Sequence, residues 1–218
     1  MSDATTSELA EAADSETIDK RARDRARMKR AAVRHGAAVL AALTLFGAGE
    51  LWALQSGLTI AVIVSLGNAL LAGYVLASII HEWGHFTGAR LSGARSPVAA
   101  EVTGPFMFGF DMKRNSLNQF LALSFGGPIA NWTLVFAIAL LVPMNSLAAA
   151  LLLATTVGVA VNVCVFEVPV IRDAMSGADP DETIQQRLRD TAASPRYHGL
   201  IAGGAVWLAV IYMAGLAG

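Results

Sequence analysis

Cysteine is almost missing from this chain. Cys164 is the only one, so no disulfide can form within it and the redox compartment stays open. Lysine and arginine are missing from three long stretches, 35–89, 115–171 and 197–218. All 16 basic residues lie in the segments between, Lys20 to Arg34, Arg90 to Arg114 and Arg172 to Arg196. A strong net charge is also lacking: the formal value is -1, and no nucleic-acid-binding module is visible. A secretory leader does not fit either. Its charged region would lead directly into an apolar one, whereas about 35 polar residues come first here.

What the chain has instead is apolar length. Hydrophobic residues make up 55% and mean hydropathy is +0.52, too apolar for a typical soluble domain. A bilayer span needs about 20 apolar residues. Five stretches qualify, at about 36–54, 58–91, 117–142, 147–171 and 199–216. The fold class expected is an all-α polytopic membrane protein of about five transmembrane helices. Residues 1–35 read as a cytoplasmic polar and basic tail, disordered to about Lys20, and 36–218 as a single membrane domain. The basic stretch 20–30 reads as a charge run that fixes topology or as a short helix on anionic lipid. With that tail inside, the connections 55–57 and 143–146 and the C-terminus face outward and carry no Lys or Arg. Both inward loops carry four, as the positive-inside rule requires.

Near the inner end of the second apolar stretch stands His81-Glu82-Trp83-Gly84-His85. Each ionisable group at the bilayer centre costs about 2.5–3.5 kcal/mol or more, so three within one turn need a compensating reason. Residues i and i+4 share a helix face, so His81 and His85 can hold one zinc ion between them. Glu82 beside it suits the general base of a metallopeptidase. His85 lies five residues before Arg90, about 7 Å along the axis, which sets the motif toward the cytoplasmic face. A polar cluster satisfied by neighbouring helices, without metal, is the alternative.

In the loop 92–116, Val98 to Thr103 is followed by the turn signal Gly104-Pro105. Phe106, Phe108, Phe110 and Met112 then alternate with Met107, Gly109 and Asp111. This predicts a short membrane-associated β-hairpin, offering an edge to an extended substrate or anchoring the loop in lipid. Asp179-Pro180 is a capping signal for a surface helix over 182–189. Asn68 and Asn162 read as interhelical hydrogen-bonding residues, Glu50 as reaching the outer interface, and His35 and His198 as interfacial.

These residues resemble the site-2 protease family of intramembrane zinc metalloproteases over 58–175. His81-Glu82-Trp83-Gly84-His85 is similar to that family's H-E-x-G-H. Gly127-Pro128-Ile129-Ala130-Asn131 is similar to its G-P-x-x-N. Asn162, Pro169 and Asp173 follow the order of its N…P…D-G, with Ala174 in place of the glycine. The resemblance implies His81, His85 and Asp173 as zinc ligands, with Glu167 the competing third ligand, and Glu82 as base. Asn131 would donate to the substrate backbone or oxyanion. Gly127 and Pro128, in a break of the third span, and Phe106 and Phe108 would meet the substrate. The implied partners are a transmembrane protein substrate and the bilayer. The implied location is a bacterial inner membrane, with the N-terminus in the cytoplasm. The second reading is a catalytically inactive relative, or a zinc-handling membrane protein that binds a partner helix.

Overall fold

The computed structural model describes the backbone of residues 2–193 and 197–216. It describes the side chains of 18–190, Thr103 apart, and of 197–216. The chain forms six α-helices: α1 (Ser2–Ser56), α2 (Thr59–Leu91), α3 (Leu117–Leu141), α4 (Leu147–Met175), α5 (Pro180–Ala193) and α6 (Tyr197–Met213). A hairpin, β1 (Val98–Thr103) and β2 (Phe106–Phe108), lies between α2 and α3. Four helices are long and apolar enough to cross a membrane: α1 from Ile18, α2, α3 and α4. The fifth expected span is α6, an apolar helix of only 17 residues, about 25 Å at 1.5 Å per residue.

Helices α2, α3 and α4 pack on one another, with α1 against α2 and α6 against α4. Their shared core is built from small and branched residues, among them Ala69, Ala72, Leu76, Leu134, Ile138, Leu152 and Ala160. Small residues let backbones approach closely where lipid offers no hydrophobic drive between helices. The closest approach is α2 on α3. A Cβ on Gly84 would strike the Gly126 carbonyl, and one on Gly88 the Ala122 carbonyl. Asn162 accepts from Gly199 N at 3.0 Å and joins α4 to α6. Asn68 donates to Leu45 O at 2.8 Å and joins α2 to α1.

Local signals account for the helix ends. Ser116 and Gln119 form a capping box on α3, satisfying two otherwise orphaned amides. Ser146 caps α4 through Ala149 N, and Asp179 accepts from Glu182 N at the start of α5. The hairpin turns at Gly104-Pro105, with Gly104 at φ 65°, a left-handed conformation that glycine adopts freely. β2 ends at Phe108, shorter than the alternation to Met112 predicts.

Two expectations are corrected here. The tail is helical from Ser2, where disorder to Lys20 was expected; its Ala, Glu, Arg and Lys are strong helix formers. Nor does it stand apart from the rest of the chain: residues 24–35 dock on the hairpin. Helix α3 is not interrupted at Gly126-Gly127-Pro128. It runs through Pro128 to Leu141, with both glycines against α2.

Candidate metal centre

The site begins with the i, i+4 spacing on α2. His81 Nε2 and His85 Nε2 lie 2.9 Å apart. Helix α4 brings Glu167 Oε1 to 3.1 Å from each. These are the three groups that the fold gathers tightly enough to hold a metal ion among the described residues. Asp173, expected as the third ligand, lies elsewhere. It faces Arg172 at 3.0 Å and Arg187 at 3.9 Å at the end of α4. The reason is depth. Glu167 stands five residues before Arg172, as His85 stands five before Arg90, which puts Glu167 level with the histidines. Asp173 is six residues, about 9 Å, further along α4.

The outer nitrogens fix the rings. His85 Nδ1 donates to Leu123 O at 2.8 Å, because a carbonyl can only accept. In the neutral ring that leaves Nε2 as a lone pair, aimed at the Glu167 carboxylate. Two lone pairs facing each other at 3.1 Å repel unless positive charge sits between them. A metal-ligating histidine almost always donates its other N–H in this way.

Asn131, expected to meet substrate, is 1% exposed and sits behind His81, its Nδ2 3.4 Å from Nδ1. Its Oδ1 is buried without a partner. Turning the amide over would set Oδ1 to accept from His81 Nδ1. In this arrangement Asn131 is a positioning residue for the ring. Gly127 and Pro128, expected to line a substrate entry, are buried within the helix packing. A Cβ on Gly127 would come within 2.5 Å of His81 Cε1 and 2.6 Å of His85 Nε2. Glycine there makes room for the imidazole pair.

Glu82 is 7% exposed, and its Oε1 accepts from Met107 N on β2 at 3.1 Å. Met107 is fully buried in a cluster with Phe86, Val98 and Ala31. Phe108 packs on Phe86 at 5.3 Å between ring centroids. Phe106 is 71% exposed and Phe108 only partly so, so of the two phenylalanines expected to meet substrate Phe106 is the more open.

Sequence reasoning missed the part of α1. Asp24 Oδ1 accepts from Val98 N at 2.8 Å, and Arg27 and Arg34 donate to Val98 O and Val102 O at 3.3 Å. His35, expected at an interface, is 5% exposed. It joins Gly104 O at 3.1 Å and Trp83 Nε1 at 3.0 Å, tying the turn of the hairpin to the residue beside Glu82. Glu50 accepts from Ser65 Oγ at 2.9 Å inside the α1–α2 contact.

No family model, curated protein or solved structure matches the chain. The geometry of this centre and its residue pattern therefore carry the functional reading.

Proposed function

We propose that this chain is a zinc-dependent intramembrane metallopeptidase that cleaves a peptide bond of a transmembrane protein substrate near the cytoplasmic face. The observation that carries the reading is the convergence of His81 Nε2, His85 Nε2 and Glu167 Oε1 at 2.9–3.1 Å, on two helices apolar enough to span a bilayer. In this reading α1 to α4 cross a bacterial inner membrane, with the basic part of α1 in the cytoplasm.

The donor set fits zinc. Two ligands each ~2.0–2.1 Å from a tetrahedral zinc lie about 3.3 Å apart, close to the spacing here. Glu167 Oε2 is buried and has no hydrogen-bond partner among the described residues. A buried carboxylate left this way is costly unless a cation compensates it. When bound, zinc lowers the pKa of a water toward about 7 and polarises a carbonyl oxygen.

The chain's own groups do the rest. Glu82 keeps Oε1 on the Met107 amide, which fixes its carboxylate. Its Oε2 takes the proton of the attacking water and returns it to the leaving nitrogen. Leu123 O orients His85, and Asn131 orients His81. The outer edge of β1 is taken up by Asp24, Arg27 and Arg34. The edge of β2 turns toward Glu82, and its Met107 amide is already held there.

The test is Glu82→Gln in a reconstituted assay with candidate single-span substrates. Cleavage should fall about 10²–10⁴-fold while zinc stays bound. Equal processing by wild type and variant would refute the protease reading and favour an inactive or zinc-handling membrane protein.

A further inference from the structure

We propose a second binding site on this chain: the cavity between α1 and β1 binds the phosphate group of an anionic ligand at the cytoplasmic membrane surface. The cavity measures about 310 Å³ and is lined by Arg27, Arg30, Arg34 and Glu101, together with backbone and small side chains of β1. That is the small end of the range for ligand pockets, ~300–1,000 Å³, a size for a headgroup.

The three arginines recur at i, i+3 and i+7 and so form one stripe of α1. Arg27 and Arg34 each donate one N–H to a β1 carbonyl, which pins both guanidinium groups to the cavity wall. A guanidinium has five N–H donors, so most of each remains for a ligand. Arg30, between them, makes no hydrogen bond or ion pair among the described residues, and none of the three meets a carboxylate. Their neighbours differ. Arg23 pairs with Asp19 at 2.9 Å and Arg90 with Asp24 at 2.6 Å. Glu101, the one acid on the cavity wall, is exposed and makes no described ion pair.

Three like charges against one unpaired acid leave the cavity with a net positive charge, and the guanidinium groups repel one another. A phosphate that takes several N–H groups at once removes that cost and gains charge-assisted hydrogen bonds. The position suits such a ligand. The apolar run of α1 begins at about residue 36, just past Arg34 and His35, so the cavity lies at headgroup level once α1 spans a bilayer. The inference rests on that membrane reading of α1 and not on peptide hydrolysis.

The experiment uses the full chain in neutral detergent, offered phosphatidylglycerol or phosphatidylcholine in mixed micelles, with retained lipid counted by native mass spectrometry. One variant is Arg27→Gln/Arg30→Gln/Arg34→Gln. The control, Arg21→Gln/Arg25→Gln/Lys29→Gln, removes the same charge from the opposite face of α1. Phosphatidylglycerol retention should fall at least about tenfold in the first and stay near wild type in the second. Arg30→Gln alone, which breaks no described contact, should fall about threefold and serves if the triple variant misfolds. Displacement of the lipid by inorganic phosphate would identify a soluble phosphate as the ligand. Retention in its presence would identify the lipid headgroup. Equal losses in both triple variants, or equal retention of both lipids by the wild type, would overturn the site. Alkaline carbonate extraction tests the membrane reading separately.

Discussion

Glu82 on α2 and Met107 on β2 are joined by one hydrogen bond of 3.1 Å, from a strand amide to a buried carboxylate. The hairpin thus forms part of the centre, since it holds the group proposed as the base. The same hairpin is held from behind by α1, so 24–35 reach the centre through two layers of hydrogen bonds.

Removing the strand donor tests that tie. Met107→Pro deletes the amide hydrogen, whereas Met107→Leu keeps it at similar volume. The proline variant should lose about tenfold or more in turnover with zinc content unchanged, and the leucine variant should stay near wild type. Turnover and metal content measured on the same preparations decide it.

Metal retention separates the two candidate acids on α4. Glu167→Gln should lose zinc during purification, because it removes a converging donor. Asp173→Asn should keep it, because Asp173 faces Arg172 and Arg187. Elemental analysis of both variants checks this, and loss confined to the Asp173 variant would reverse the assignment.

Glycine replacements should divide by what a methyl group meets. Gly127→Ala drives a Cβ into both imidazoles and should cost about 1–3 kcal/mol, with zinc retention reduced. Gly67→Ala, exposed on α2 with nothing within 4 Å, should be neutral or up to ~1 kcal/mol stabilising. Thermal unfolding in detergent reads both.

His35→Ala leaves the Trp83 indole N–H without its acceptor and frees Gly104 O. A loss of about 1–3 kcal/mol is expected, with faster hydrogen exchange in β1 and β2. Unchanged exchange in the hairpin would show that α1 does not hold it.

Cys164 allows a direct test of topology. It is half-buried in α4, where Trp132 Nε1 contacts its sulfur at 3.3 Å. In a Cys164→Ala background, a cysteine placed at Gly57 should react with an impermeant maleimide from outside intact cells. One placed at Arg95 should react only after permeabilisation. The reverse pattern would invert the topology.

Legibility in the sequence followed the range of the interaction. The His81–His85 pair is four residues apart, so helix periodicity alone sets it. The hairpin was readable because alternation and a Gly-Pro turn are local. The third acid was not, because it depends on how α4 slides along α2. One signal is present: Glu167 and His85 each stand five residues before a basic residue in the last turn of a helix. Gly127 and Pro128 suggest a break that α3 does not have, because glycine serves both chain irregularity and close approach, and only the neighbouring helix distinguishes the two.

By itself, the sequence determined the apolar helices, the charge pattern of their connections, the spacing of two imidazoles and the hairpin, since each follows from residues near one another along the chain. Tertiary structure alone decided that Glu167 rather than Asp173 faces the histidines, that Asn131 and Gly127 lie behind them, and that α1 holds the hairpin against Glu82. Those outcomes depend on the register and depth at which separate helices pack, a balance of contacts between distant segments that no local pattern encodes.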